Sequence, residues 1–231
     1  MDLYISPLSC SFAAHVACLE AELPVTLHRV DRQTKRLDDG ADYRAIAPLA
    51  IVPALSIGDG TVITEMAAVM QWIADRAPQK ELAPRWGSPD RYPLIAWLHF
   101  ISTEIHKKHV WMIFSSKTPD AVKEWAKADP SAPLDYVAKH LEGKPYLMGD
   151  TFTVADAYLF WALLVMPFGG VALGAWPALE AYAARIRERP SVKAALAIEF
   201  PMFRREQAAN ASVPLVSDVS RVSGAPSAGT T

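Results

Sequence analysis

The sequence predicts an α/β domain followed by an all-α domain. Short apolar segments alternate with helical patterns over residues 1–78, which favours strands and helices in turn. Residues 79–89 are interrupted by proline and glycine, and every periodic segment after them is helical. We therefore expect a first domain at residues 1–78, a linker at 79–89 and an all-helical domain at 90–203.

The first element is a strand, a helix and a second strand in succession. Leu3 to Ile5 and Pro24 to Val30 have the character of strands, and Phe12 to Glu22 follows a helical period. With Ser9 as the N-cap, Cys10 falls in the first helical turn. Unpaired amides and the positive end of the helix dipole lie there, so we expect a thiolate to be favoured at Cys10.

A hairpin and a helix complete the first domain. Ile51 to Ile57 and Thr61 to Thr64 flank Gly58-Asp59-Gly60, a strong turn signal, and Met66 to Ala77 is helical. The order βαβ followed by a β-hairpin and a helix predicts a mixed four-stranded sheet with helices on its faces.

Pro53 leaves two conformations open at the start of the third strand. A trans edge proline is the commoner case, whereas a cis bond after Val52 would turn the Val52 backbone outward to pair with an extended peptide beside Cys10.

The second domain contains helical segments, followed by a tail. The predicted helices are 90–114, 119–128 continuing at 133–141, 154–165, 177–189 and 191–197. Thr153 and Asp156 have the spacing of a capping box, which assigns Asp156 a structural role. Residues 204–231 lose this periodicity and we expect them to be disordered.

Composition excludes several classes of protein. The 231 residues carry a formal net charge of -2 and no long basic stretch, so we expect no nucleic-acid or membrane partner. No run approaches a membrane span and no signal sequence is evident, which favours the cytoplasm. The two cysteines, Cys10 and Cys18, are too few for a disulfide framework, and Ala13 stands where a C-x-x-C motif would have its second thiol.

A polar stripe on the first long helix is a candidate site. His99, Thr103 and His106 recur at i, i+4 and i+7, with Lys107 beside them, while Ser102 is assigned to the core face. A solvated surface is the simpler interpretation of any one of these residues. Together they suit an anionic ligand or a thiolate.

A metal site is the alternative interpretation of the same helix. His106 and His109 are three residues apart, but Glu104 is the only carboxylate nearby and points elsewhere on the helix. We expect no metal.

Several separate runs resemble one family. The runs are Tyr4-Ile5-Ser6-Pro7 leading to Cys10-Ser11, Val52-Pro53-Ala54-Leu55, Thr64-Glu65, Phe100-Ile101-Ser102-Thr103-Glu104-Ile105-His106-Lys107, and Tyr146-Leu147-Met148-Gly149-Asp150 through Val154-Ala155-Asp156-Ala157-Tyr158. In this order and spacing, the sequence resembles the cytosolic glutathione S-transferases, most closely the bacterial beta class, over about residues 1–200.

The resemblance implies a fold, a ligand and a set of site residues. The implied fold has a thioredoxin-like, glutathione-binding N-terminal domain and a helical domain for the electrophile, in a cytoplasmic homodimer. The residues implied for catalysis are Cys10, Ser11, His106 and Lys107. Those expected to bind glutathione are Lys35, Val52, Pro53, Glu65, Met66, His99 and Thr103. Lys35 and Glu65 would address the charged ends of glutathione, and Val52 would pair with its backbone.

The electrophile itself is not readable from the sequence. We expect four aromatic residues to line its pocket, although plain core positions are the commoner use of such residues in helices. They are Trp111, Phe114, Trp161 and Phe168.

Three departures from the family pattern are visible. The family's Glu-Ser pair is Glu65-Met66 in this sequence. The family's Asn-Pro-x-Gly-x-Val-Pro run corresponds to residues 47–53, where Ala47 and Ala50 replace the asparagine and the glycine. On the long helix, His99 occupies a position that is often asparagine. A lost hydrogen bond to a charged group is worth roughly 1.5 to 3 kcal/mol, so glutathione affinity could fall by ~10-fold.

Three functions follow from these residues. The first is conjugation of the glutathione thiolate to a small apolar electrophile. The second is glutathione-dependent thiol-disulfide exchange through Cys10, since members of this class often hold glutathione as a mixed disulfide. The third is a non-catalytic binding or regulatory module, which the departures at Met66, Ala47 and Leu49 would favour.

Overall fold

A four-stranded mixed sheet forms the N-terminal part of the protein. The computed structural model describes residues 1–128 and 130–209. Within these ranges the strands are β1 (Asp2–Ile5), β2 (Thr26–Arg29), β3 (Ala54–Ser56) and β4 (Val62–Thr64), in the order β2-β1-β3-β4. β1 and β2 are parallel, whereas β3 is antiparallel to both β1 and β4. The predicted mixed sheet is confirmed.

Alternation along β1 separates two cores. Leu3 and Ile5 are fully buried in the main core beneath α1 (Ser11–Glu20) and α2 (Met66–Arg76). Tyr4 points to the opposite face, where it packs in a smaller cluster that includes Tyr43. Successive side chains of a strand point to opposite faces, so one short strand supports both layers.

The C-terminal part is helical. Its helices are α3 (Arg91–Phe100), a π-helix (Ile101–Trp111), α4 (Met112–Phe114), α5 (Asp120–Ala128), α6 (Ser131–His140), α7 (Val154–Val165), α8 (Pro177–Arg187) and α9 (Pro190–Ala209). α7 is buried along its whole length, and α1 packs against both α7 and α9. The sheet-bearing part therefore docks on the helical part through α1. The boundaries drawn at residues 79–89 stay a prediction.

The long helix departs from the expected winding. Residues 101–111 form a π-helix, whose i→i+5 hydrogen bonds give a wider turn than the 3.6-residue period assumes. His106 is buried while His99 and Thr103 are exposed, so the predicted common face is wrong. Ser102, four residues before His106 and therefore on the same side of the helix, borders the same cavity as His106, so its assignment to the core face is wrong.

The last helix extends beyond its predicted end. α9 continues through Pro201 to Ala209, whereas the sequence pattern ended at residue 197. Near its end Glu206 lies 3.9 Å from Arg29 and 3.4 Å from Arg32, both in the sheet-bearing part. Residues 204–209 are thus helical rather than disordered, and the remaining tail prediction, at 210–231, lies outside the described residues.

Among the described residues, no helix is both long enough and apolar enough to cross a membrane.

Asp156 is the most heavily bonded carboxylate at a helix start. The predicted capping box is confirmed: Thr153 caps α7, and the Asp156 carboxylate accepts from the Thr153 amide at 2.8 Å. The fully buried Asp156 also accepts from the Leu147 amide and from the Tyr182 hydroxyl, each at 2.8 Å. One side chain thus joins the loop before α7 to α8.

Replacing Asp156 with alanine should lower the free energy of unfolding by about 3 kcal/mol, because several buried donors lose their acceptor together. Urea unfolding measures this change. The matched control is Asp150→Ala at an exposed position, for which we expect a change within about 0.5 kcal/mol. Equal effects of the two substitutions would contradict the structural role of Asp156.

Candidate active site

The segment between β1 and α1 is held by a network of serines. The Ser6 amide donates to Ser11 Oγ at 3.1 Å, and Ser6 Oγ donates to the Val30 carbonyl at 2.8 Å. Ser9 Oγ and Ser11 Oγ lie 2.9 Å apart. The buried Ser11 hydroxyl is thus tied inward, beneath Cys10. It does not border the cavity described below, and its expected catalytic role stays a prediction.

Cys10 occupies the N-cap position of α1, one residue later than the predicted cap Ser9. Its thiol donates to the Val52 carbonyl at 3.2 Å. The Val52-Pro53 peptide bond is cis, the rarer of the two conformations that the sequence left open. Burial raises the pKa of Cys10 to about 11, although Lys107 and the Ser11 amide favour the thiolate. The expectation of a thiolate is therefore wrong, because desolvation outweighs the helix start.

A cavity of about 230 Å³ opens beside this thiol, between the sheet-bearing and helical parts. Its lining residues are Cys10, Ala47, Pro48, Leu49, Ile51, Val52, Thr64, Glu65, Met66, Ser102, His106, Lys107 and Tyr158. Six residues proposed from the sequence thus meet at one place: Cys10, Val52, Glu65, Met66, His106 and Lys107.

His106 is buried and bonded on one ring nitrogen. Its Nδ1 lies 2.7 Å from the Tyr158 hydroxyl, and its ring packs edge-on against Trp161 with centroids 4.7 Å apart. Burial, reinforced by the charge of Lys107, lowers the pKa of His106 to about 3. Burial raises the pKa of Tyr158, so its hydroxyl stays protonated. His106 is therefore a neutral imidazole, and Lys107 is the cation at this wall.

Four residues expected to bind glutathione lie away from the cavity lining. Lys35 is half-buried in the loop after β2, where burial lowers its pKa, and Pro53 is buried behind Val52. His99 and Thr103 are exposed, with Thr103 Oγ1 donating to the His99 carbonyl at 3.1 Å. The π-helical winding accounts for the last two placements, because it separates them from His106.

The four aromatic residues expected at the electrophile pocket fall into two groups. Trp161 is only 3% exposed, and its indole N–H donates to the Leu8 carbonyl at 3.2 Å, so it is a core residue. Trp111 and Phe114 are exposed and Phe168 is half-buried, and none of the three borders the cavity. Phe114 does lie close to Gly169, next to Phe168, so those two rings belong to neighbouring segments.

The outer wall of the cavity is apolar. Leu49 is 79% exposed and Ile51 is 46% exposed, both beside the opening. Ala50 has a φ of 50°, in the left-handed region where the family pattern carries glycine. Ala50 therefore holds a backbone conformation that glycine adopts most readily.

Seven lining residues were absent from the predicted set of site residues: Ala47, Pro48, Leu49, Ile51, Thr64, Ser102 and Tyr158. Thr64, Ser102 and Tyr158 are the three of them that carry a hydroxyl group. Ser102 was assigned to the core by the helical period. Tyr158 stood within a quoted family run, and its signal was a polar-tipped ring on an otherwise apolar helix.

The raised pKa of Cys10 predicts how its alkylation depends on pH. A thiol with a pKa of about 11 is almost wholly protonated at neutral pH. In a Cys18→Ala variant, the rate with iodoacetamide should rise about tenfold per pH unit from neutral to about pH 10. A rate that levels off near neutral pH would contradict the buried thiol, and a Cys10→Ala variant supplies the background rate.

The fold and site together define a class of protein. A cysteine follows the first strand of a mixed sheet, a cis-proline peptide faces it, and a helical part closes the cavity with a neutral histidine and a lysine. This arrangement is that of a two-domain protein with a thioredoxin-like sheet part, a helical part and a cysteine-lined cavity between them.

Comparison with known proteins gives the family. Residues 9–76 match the N-terminal domain of glutathione S-transferases and residues 100–190 match the C-terminal domain. Glutathione S-transferase GstA of Escherichia coli O157:H7 is 38% identical over 203 residues, which are 86% of this chain and 98% of that protein.

Two solved structures extend the likeness. A bacterial beta class glutathione S-transferase of Sphingomonas chungbukensis has a TM-score of 0.83 at 38% identity, covering 86% of this chain and 98% of that one. A sphingomonad glutathione S-transferase, complexed with glutathione, has a TM-score of 0.82 with the same identity and coverage. The chain belongs to the glutathione S-transferase family, and it is an enzyme of that kind.

Proposed function

We propose that this enzyme conjugates the thiolate of glutathione to a small apolar electrophile. The observation that supports this most is the meeting of Cys10 with His106 and Lys107 at one cavity, from opposite parts of the chain. An imidazole N–H and a cation beside a neutral thiol can stabilise the thiolate of a second, bound thiol.

The walls of the cavity suit the peptide of glutathione. Met66 begins α2, where unpaired amides and the helix dipole favour the γ-glutamyl carboxylate, and Glu65 can accept from the neighbouring amino group. The Val52 carbonyl has a second lone pair for the peptide besides the one that accepts from Cys10. Lys35 would bind the glycyl carboxylate from the adjoining loop. The sphingomonad relative that was solved with glutathione supports this ligand.

His106 would act on the sulfur as a neutral donor. In this proposal the Tyr158 hydroxyl, 2.7 Å from Nδ1, donates to that nitrogen, and the imidazole then carries its hydrogen on Nε2. That N–H and the ammonium of Lys107 both favour the glutathione thiolate. Cys10, still a thiol at neutral pH, keeps its single S–H on the Val52 carbonyl and does not compete for the negative charge.

Thiol-disulfide exchange through Cys10 is the second candidate function, because Cys10 Sγ borders the cavity. In that reaction the Cys10 thiolate attacks a mixed disulfide, the partner thiolate leaves, and a second glutathione thiolate releases the first as glutathione disulfide. A pKa of about 11 disfavours the attacking thiolate, so we rank conjugation first. The sequence-level hypothesis of a non-catalytic module gains no support from the family relationship.

Further features of the family are proposed for this chain. We infer a homodimer in the cytoplasm, with residues 1–78 binding glutathione and residues 90–203 supplying the electrophile site. Phe114 and Phe168 are the aromatic candidates for that site, since their segments adjoin each other, and Trp111 lies on the same helix end.

Binding and turnover test the proposal together. Titration calorimetry should detect glutathione binding at millimolar concentrations or below, and a chlorinated nitroaromatic should be conjugated in a glutathione-dependent reaction. Absence of both binding and thiol-dependent turnover would overturn the proposed function. Disulfide reduction without any conjugation would favour the second candidate.

A further inference from the structure

Two residues of the helical part bind the backbone of a residue close to Cys10. Leu8, two positions ahead of Cys10, has a φ of 55°, in the left-handed region. Its amide donates to Glu199 Oε2 at 2.8 Å, and its carbonyl accepts from the Trp161 indole at 3.2 Å. A leucine rarely adopts this conformation without contacts that fix it. Both polar groups of the Leu8 backbone are therefore bound by residues more than 150 positions away.

Glu199 also bonds to α1, the helix that follows Cys10. Its Oε1 lies 2.8 Å from Nδ1 of His15 on α1, and both side chains are buried. The same carboxyl group thus bonds to the segment before Cys10 and to the helix after it. Glu199 lies on α9, so the C-terminal helix contacts the Cys10 segment through one buried side chain.

Trp161 extends this connection to the histidine. The indole that donates to the Leu8 carbonyl packs edge-on against the His106 ring, with centroids 4.7 Å apart. It also stacks against Tyr158, the partner of His106 Nδ1. Trp161 therefore contacts both the segment that carries Cys10 and the group that faces it across the cavity.

We propose that Glu199 and Trp161 are positioning residues that clamp Leu8 and thereby set the distance between Cys10 and His106. The proposal deepens the proposed function and rests on it, because it takes Cys10 and His106 to act on one bound sulfur. It assigns a role in the active site to α9, although that helix does not border the cavity.

The test compares Glu199→Leu with Glu199→Gln. Leucine removes both acceptors, so Cys10 should be alkylated by iodoacetamide at least ~10-fold faster and kcat/KM for glutathione should fall by ~10-fold. Glutamine keeps an oxygen for the Leu8 amide, and its N–H can donate to Nδ1 of His15 in the tautomer protonated on Nε2, so it should restore both values to within ~3-fold of the parent.

Glu20→Leu is the matched control. Glu20 is a second acidic contact of α1 with the C-terminal helices, through Arg189 at 2.6 Å, and it does not touch Leu8. We expect it to lower stability and to leave Cys10 alkylation unchanged. Parent-like alkylation in Glu199→Leu, or an equal acceleration in Glu20→Leu, would overturn the proposal.

Two measurements decide the case if Glu199→Leu does not fold. In the parent protein, the Leu8 amide should be strongly protected from hydrogen exchange, and an unprotected Leu8 amide would overturn the clamp. Trp161→Phe keeps an aromatic ring but loses the indole donor, so Cys10 should be alkylated faster in this variant. An unchanged alkylation rate would overturn the role of Trp161 in the clamp. Alkylation of Cys10 and hydrogen exchange of the Leu8 amide can both be measured without catalysis. If the parent protein shows no conjugation, the proposed function is refuted, and these two measurements still test whether Glu199 and Trp161 clamp Leu8.

Discussion

Replacing His106 with phenylalanine should lower kcat/KM for conjugation by about 100-fold, the loss typical of removing one donor to a developing or bound anion. Phenylalanine fills the buried space and retains the ring contact with Trp161. It lacks the Nδ1 that bonds to Tyr158 and the Nε2 that we propose donates to the bound thiolate. Steady-state kinetics with varied glutathione and a saturating chlorinated nitroaromatic measures the effect.

The companion variants separate chemistry from packing. Tyr158→Phe keeps His106 but removes the hydroxyl that fixes its tautomer, so we expect a loss of about tenfold. His28→Phe, at a half-buried position on β2, is the matched control and should leave kcat/KM unchanged. A His106→Phe enzyme with parent activity would show that the imidazole does not act on the sulfur.

Replacing Cys10 with alanine should distinguish the two candidate reactions, because we expect it to affect their rates very differently. Disulfide reduction should fall by more than about 1000-fold, because the attacking sulfur is gone, whereas conjugation should keep at least about a tenth of its rate. Cys18 cannot substitute for it, since burial in α1 raises its pKa to about 12. Assays of both reactions on the same preparation make the comparison.

Cys18→Ala is the control for thiol removal and should affect neither reaction by more than about twofold. If Cys10→Ala abolishes conjugation as well, then the enzyme works through a covalent Cys10 intermediate and the proposed order of the two functions is reversed.

Local patterns were sufficient for the architecture. The strand at Leu3 to Ile5, the Gly58-Asp59-Gly60 turn and the capping box at Thr153 and Asp156 each depend on neighbouring residues, and the structure has all of them. Local patterns also placed Cys10 at a helix start, which is its observed position.

The predictions that were wrong concern properties that local sequence patterns do not determine. The pKa of Cys10 follows from burial by the other parts of the chain, which outweighs the local helix start. The separation of the exposed His99 and Thr103 from the buried His106 follows from a π-helical winding that no 3.6-residue period reveals. The contact of Glu199 with Leu8 spans 191 positions and has no signal in either segment alone.

The most direct test of the whole account is the pKa of the glutathione thiol when it is bound. Burial holds the pKa of Cys10 at about 11 and that of Cys18 at about 12, so neither protein thiol contributes thiolate absorbance near neutral pH. Ultraviolet difference titration of the glutathione complex therefore reports the bound ligand. We expect its thiolate to form with a midpoint at least about one unit below the value near 8.5 of an ordinary thiol. A saturated complex that shows no thiolate absorbance until the pH of a free thiol would contradict the account.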